Sequence, residues 1–247
     1  MKSRERKMVI IGGGISGLCA GVYARKQGFQ TEILEMHTIA GGLATAWKRN
    51  GYTFENCVHW LVGSKKGADL NEWWREVFDI DQLEFYESKI QSVTEHGGAK
   101  ITIYRDNDAL ERELLAKAPE DEKAIQEFMR DVRALTRFRI PMGDGLLQKI
   151  VSYARVIPYL SLLRRASKIT MGEYGKRFKN PLLRSHFEGI MGDLSAIAIL
   201  FSFGWMNSGN GGYPLGGSLQ MIRLIEENYR KLGGQVRFNS RVNRSRR

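Results

Sequence analysis

Cysteine is nearly absent from this chain: Cys19 and Cys57 are the only two among 247 residues. Two are too few for a disulfide framework and fit a reducing cytosol. Both read as small core hydrophobes. Long apolar runs are missing too, since none reaches the roughly 18 uninterrupted residues of a membrane-spanning helix. The longest candidate, Ala196 to Met206, contains Ser202 and Gly204 and reads as a buried segment. A basic stretch from Lys2 to Lys7 precedes an apolar run from Met8. Three glycines then break that run and no small-residue cleavage site follows, which argues against a signal peptide. The expected location is therefore cytoplasmic, in solution or peripheral on a membrane. Acidic residues are the scarcer charge, 27 against 38 basic ones, and the net charge of +11 gives a surface that attracts anions. Zinc spacings, ribonucleoprotein aromatics and other nucleic-acid motifs are absent, so neither a metal nor nucleic acid is expected. Anionic lipid and phosphorylated ligands remain. No repeat or low-complexity tract is evident.

What is present begins with Met8 to Ile11, an apolar β-branched run read as a strand buried on both faces. A helix carrying Leu18 and Val22 follows the glycines and ends near Gly28, and Thr31 to Leu34 reads as a second strand. This is a βαβ-type opening. Tyr52 to Phe54 reads as a further short strand. From about Ala68 the texture becomes helical, with strands at Leu83 to Tyr86, Ile90 to Thr94 and Ile101 to Tyr104, the last two joined by a Gly97-Gly98 turn. Pro119 is expected to open a helix whose first turn holds Glu120, Asp121 and Glu122, and Thr170 with Glu173 reads as a capping box. After Gly216-Gly217 a helix bearing Leu219, Ile222 and Ile225 leads past Gly233-Gly234 into a strand at Val236 and Phe238. The chain thus returns to α/β structure.

Chemistry is concentrated at Gly12-x-Gly14-x-x-Gly17, directly after a strand and at the start of a helix. Gly12 suits the tight turn, Gly14 lets the backbone approach a pyrophosphate, and Gly17 allows close packing, while the helix N-terminus supplies N–H groups and a positive dipole end. Glu35 ends the second strand about twenty residues further on, where a carboxylate hydrogen-bonds ribose hydroxyls and repels a 2′-phosphate. NAD and FAD remain, and the Gly41-Gly42 pair soon afterwards favours FAD by its likeness to the second glycine motif that follows the ribose-binding acid in many FAD enzymes. His59-Trp60 is assigned no catalytic role, because a lone histidine beside tryptophan is more often a packing residue. The segment from Leu146 to Arg165 mixes leucine, isoleucine, valine and tyrosine with Lys149, Arg155, Arg164 and Arg165. It suits either a membrane surface or a helix packed over a substrate cavity, divided or kinked at Pro158.

The run from Ile10 to Gly63, opening IIGGGISGLCAG, and the run GGYPLGGSLQMIRLIEENYRKLGGQVRFNSRV from Gly211 to Val242 resemble the phytoene desaturase-like family of carotenoid desaturases, carotenoid isomerases and retinol saturases. The resemblance implies a Rossmann-type α/β FAD-binding domain with an inserted α+β substrate domain. Residues 1–67 would form its first part, 68–210 a helical substrate domain with a small sheet, and 211–247 the re-entry segment. It implies FAD contacts at Gly12, Gly14, Ser16, Gly17, Glu35, Met36, Gly41, Gly42 and Leu43, with Val242 meeting the adenine through its backbone. Many members carry arginine where this chain has Leu43. The implied activity is that of an oxidoreductase, by desaturation, saturation or isomerisation at carbon–carbon bonds of an apolar polyene or isoprenoid lipid, with the flavin carrying the hydride. A flavin amine-oxidase relative and a non-enzymatic lipid escort, as in the Rab GDP-dissociation inhibitors, are the alternatives. Family members continue past the re-entry strand to a final flavin motif. The expectation is therefore an ADP-binding half-site without a full catalytic centre, whose open sheet edge favours a complementary chain or self-association.

Overall fold

The computed structural model describes residues 6–55, 57–141, 145–189 and 191–243. The basic stretch at Lys2 to Lys7 and the terminal run Arg241 to Arg247 lie partly outside the described residues. The chain forms two compact units, Met1–Tyr86 with Gly212–Arg247, and Glu87–Gly211. The first opens with β1 (Lys7–Ile11), α1 (Ile15–Lys26) and β2 (Gln30–Leu34). Then come a hairpin of β3 (Ala46–Arg49) and β4 (Tyr52–Glu55), β5 (Leu61–Val62), α2 (Asp69–Val77) and β6 (Phe85–Tyr86). The second unit holds β7 (Ile90–His96), β8 (Ala99–Tyr104), α3 (Asn107–Lys117), α4 (Glu122–Thr136) and α5 (Leu146–Ala154). It continues through α6 (Leu160–Ala166), α7 (Met171–Gly175), α8 (Pro181–Glu188) and α9 (Ala196–Asn207). The chain returns to the first unit through β9 (Gly211–Pro214), α10 (Gly217–Lys231) and β10 (Gln235–Arg237).

In the first unit β1, β2 and β10 form a parallel sheet in that order, with Ile10 opposite Ile33 and Val236 opposite Ile33 on the other side. Parallel neighbours need crossovers, which α1 and α10 provide. Both helices cover one face, where Leu18, Val22, Ile33, Ile222, Ile225 and Tyr229 are fully or almost fully buried. The Tyr229 hydroxyl reaches Thr31 Oγ1 at 2.8 Å, so this large side chain is satisfied as well as packed. The expectation that β1 is buried on both faces fails: Val9 and Ile11 are 60% and 61% exposed. Among the described residues β1 is the edge of a three-stranded sheet with its helices on a single face, and no layer covers its alternate side chains. The unit also extends further than the expected change of texture at Ala68, because Val77, Phe78, Ile80 and Leu83 join the same core as Leu18 and Ile33. Neither cysteine is a fully buried core residue: Cys19 is half-buried against the first unit's core, and Cys57 is exposed, since it lies in a loop beyond the exposed β3–β4 hairpin.

The second unit is built on aromatic packing. The Phe128 ring stands edge-on to Tyr174, Phe187 and Phe203, with centroids 6.2, 5.3 and 5.3 Å away. The β7–β8 hairpin turns at Gly97-Gly98 and buries Ile101 and Ile103 against this core. The segment from Ala196 to Met206 is the buried helix expected, with Leu200 and Phe203 inward. Thr170 and Glu173 form both hydrogen bonds of a capping box, at 3.1 and 2.8 Å. Pro119 behaves differently from expectation. Pro119–Asp121 is a single 3₁₀ turn that leads into α4 with Glu122 in its first turn, and the buried Asp121 carboxylate accepts from the Lys179 and Asn180 N–H groups at 2.8 to 2.9 Å, so it ties the start of α4 to the N-terminus of α8. Asp131, also buried, accepts from Arg165 and from the Tyr174 hydroxyl. That buried carboxylate is satisfied on both oxygens.

Candidate nucleotide site

The turn between β1 and α1 is assembled almost wholly from backbone. The Gly12 N–H donates to the Leu34 carbonyl at 2.8 Å, which locks the end of β1 to the end of β2. Gly14 is the N-cap of α1 with extended φ and ψ, and no side chain caps the helix or places an acid in its first turn. The first N–H groups of α1 are therefore disposed toward an anionic ligand. A Cβ at Gly14 would meet nothing nearer than 3.9 Å, so the space beside it is open. A Cβ at Gly17 would lie 2.0 Å from the Gly12 carbonyl oxygen, so only glycine lets α1 start this close to the strand. Ser16 is exposed on the first turn between them.

Glu35 is buried, and its position gives it a role the sequence did not suggest. Its Oε2 accepts from the Gly13 N–H at 2.6 Å and its Oε1 from the His37 N–H at 2.8 Å. The carboxylate thus holds the glycine turn, and each oxygen keeps a further lone pair for a hydroxyl donor. The second glycine pair is brought to the same place. The Gly41 N–H donates to the Gly13 carbonyl at 2.8 Å, Gly14 and Gly41 form a parallel bridge, and Gly42 lies against Gly14. Met36 and Leu43 flank this double turn with 69% and 93% of their surface exposed. Beyond β10 the chain keeps running beside Glu35, with the Ser240 N–H donating to the Glu35 carbonyl at 2.8 Å and the Asn239 N–H to that of His37 at 3.1 Å. Val242 follows, half-buried. The sequence-predicted residues other than Val242 therefore converge on one double glycine turn, and Val242 lies at the end of the segment that passes it.

His59 is exposed and its ring is tilted 6.3 Å from that of Trp60. A second polar centre escaped sequence reasoning. Glu55, at the end of β4, accepts from Ser218 Oγ at 2.6 Å and from the Tyr213 hydroxyl at 3.3 Å, and Ser218 Oγ accepts from the Val58 N–H. This cluster sits at the N-terminus of α10, where a carboxylate is favoured by the dipole. Burial first, and then the charge of Glu55, hold the Tyr213 phenol above its ordinary range. The Gly216-Gly217 pair was the available signal, but it did not name its distant acidic partner. An apolar cleft of about 510 Å³ between α1 and α2 is lined by Tyr23, Leu61, Leu70, Trp73, Trp74 and Val77. Burial and the 2.8 Å bond to Glu76 push the Tyr23 phenol up to about 12, so it stays protonated near neutrality. Among the described residues no His, Cys, Asp and Glu cluster is suited to hold a metal ion.

Comparison with known proteins agrees with this geometry. Residues 10–77 match the family model of an NAD(P)-binding Rossmann-like domain. Over 97% of its length the chain is 24% identical to a 4,4'-diapophytoene desaturase (4,4'-diapolycopene-forming) of Methylomonas sp, of which it covers 48%. Over 96% of its length it is 26% identical to an all-trans-retinol 13,14-reductase of Danio rerio, of which it covers 42%. The chain thus spans about half the length of the curated relatives it matches. Among solved structures, putrescine oxidase superposes with a TM-score of 0.58 at 15% identity, over 96% of this chain and 51% of that one. The fold is a mixed α/β fold with a Rossmann-like dinucleotide-binding domain.

Proposed function

We propose that the first unit binds the ADP portion of FAD and that the chain provides this half-site for an oxidoreductase acting on carbon–carbon bonds of an apolar polyene or isoprenoid lipid. One observation carries the cofactor assignment: an uncapped helix N-terminus and an open Gly14 face the same turn as the buried Glu35 carboxylate and the second glycine pair. Pyrophosphate suits the first pair of features and ribose hydroxyls the carboxylate. Gly12, Gly14, Ser16 and Gly17 would hold the pyrophosphate, Glu35 the ribose, Met36, Gly41, Gly42 and Leu43 the adjoining edge, and Val242 the adenine. Bound FAD would supply the hydride chemistry. The substrate class rests on the desaturase and the retinol reductase, each of which aligns with nearly the whole chain. The likeness to putrescine oxidase speaks for the fold alone. Polyenes dissolve in bilayers and not in water, so this reading includes work at a membrane surface.

The test is FAD affinity measured by flavin fluorescence for the wild type and Glu35→Ala. Losing charge-assisted bonds to ribose should weaken binding by about 1.5–3 kcal/mol, roughly ten- to a hundredfold. Glu35→Ala also frees two N–H groups of the turn, so circular dichroism and the thermal midpoint are read alongside. Unchanged affinity in a folded variant overturns the assignment.

A further inference from the structure

We infer that α5 is a lipid-inserting helix, and that the second unit docks through it on an anionic bilayer. The first observation is the direction in which the helix faces. None of its residues is buried. Leu146 and Leu147 are 77% and 78% exposed, and Ile150, Val151 and Tyr153 are each more than half exposed. At 3.6 residues per turn these side chains share one continuous face. Gln148 and Ser152 lie on the opposite face, and Ser152 is the one residue of α5 that is not exposed. A helix packed over a core turns its apolar face inward. This one turns it outward.

The second observation is charge. From Gly145 to Gly172 the chain contains no Asp or Glu and carries Lys149, Arg155, Arg164, Arg165 and Lys168. On the helical wheel Lys149 borders the apolar face beside Tyr153, and Arg155 borders it beside Val151. Basic side chains at both margins of an apolar face can run their stems along the hydrocarbon boundary and place their charges among lipid phosphates. A second copy of the chain would bring the same cations together, which disfavours self-association through this face. An anionic leaflet offers the complementary charge.

The third observation is anchorage. The 3₁₀ turn Ile157–Tyr159 contains Pro158 and divides α5 from α6, leaving Ile157 and Leu160 exposed on the same stretch of chain. Tyr159 packs edge-on against Phe138 with centroids 5.2 Å apart, Leu162 and Ala166 enter the core, and Arg165 bonds the buried Asp131 carboxylate at 2.8 and 2.9 Å. α6 is thereby fixed, and α5 is presented from a rigid base. No helix among the described residues is long and apolar enough to cross a membrane, so the contact is in the plane of the interface. The inference stands on the second unit and needs no FAD, so it survives or fails separately from the cofactor assignment.

Flotation of the 247-residue chain with phosphatidylcholine vesicles, and with vesicles in which about a third of the lipid is phosphatidylserine, tests it. The wild type should float with the anionic vesicles, and less so at high salt. Removing charge with Lys149→Gln and Arg155→Gln should lower the partition coefficient by about fivefold per cation. Leu147→Glu with Ile150→Glu should lower it more than about tenfold at either salt concentration. Both positions are exposed, so the thermal midpoint should hold in the double variant, which guards against loss of fold. Flotation of the folded double variant equal to that of the wild type overturns the inference. So does a wild type that ignores anionic vesicles but sediments as a dimer that the double variant makes monomeric, since a second copy would then be the occupant.

Discussion

The two units expose apolar surface for opposite reasons. In the first, Val9 and Ile11 project from an edge strand, because a sheet with helices on one side leaves alternate residues of β1 uncovered. In the second, Leu146, Leu147 and Ile150 project from a helix none of whose residues is buried. The strand's exposure follows from what its neighbours are, and the helix's exposure from how it is turned. Their interiors differ as well. The first unit's candidate site is a backbone device in which glycines and N–H groups shape a turn and a single buried carboxylate holds it. The second unit's order comes from side chains, with aromatic rings clustered on Phe128 and carboxylates tying separated segments together. Damage to one should read out as lost ligand geometry, and damage to the other as lost packing.

The largest expected effect tests the packing side. Phe128→Ala removes a ring that touches three others and should cost about 3–5 kcal/mol, seen as an early unfolding transition in urea. FAD affinity measured below that transition should stay within about twofold of the wild type, and a tenfold loss would break the separation between the units. On the backbone side, Gly17→Ala forces a methyl group into the Gly12 carbonyl oxygen and should destabilise by about 1–3 kcal/mol as the turn shifts. Gly14→Ala enters open space and should leave the thermal midpoint unchanged while weakening FAD binding. If the two glycine variants behave alike in stability, the close approach at Gly17 is not what fixes α1.

The effect seen only on acidification is a pH dependence confined to the second unit. Burial pushes His186 down to about 4 from 6.5, and its Nδ1 lies 2.9 Å from Thr94 Oγ1. Above pH 6.5 the imidazole is neutral in both folded and unfolded chains and stability is full. As pH falls the unfolded chain takes up the proton first, so stability drains away between 6.5 and 4, by roughly 2 kcal/mol at pH 5. His186→Asn cannot titrate, and its fall in thermal midpoint between pH 7 and pH 5 should be clearly smaller than that of the wild type. Equal falls would mean that other groups carry the acid sensitivity.

Much of the site was legible because glycine spacing reports backbone geometry directly. Gly12, Gly14, Gly17, Glu35 and the pair Gly41-Gly42 meet at one turn because the β1–α1–β2 connection is short and its dimensions follow from the elements themselves. The capping box at Thr170 and the hairpin at Gly97-Gly98 were legible for the same reason: both are complete within a few residues. Glu55 was not. Its partners Tyr213 and Ser218 lie some 160 residues away in sequence, and nothing local marks a carboxylate that will sit at a distant helix N-terminus.

The sequence by itself determined the βαβ opening, the glycine turn with its acid, and the amphipathic, acid-free stretch after Gly145, because each depends on spacing over one or two turns of chain. Only the tertiary structure decided that β1 is an edge, that Glu35 braces the turn from beneath, that Asp121 points inward, and that α5 turns its apolar face to solvent. Those outcomes depend on which distant segments come to lie alongside. Burial is a property of neighbours, and a periodic pattern can say that a helix has an apolar face without saying which way that face looks.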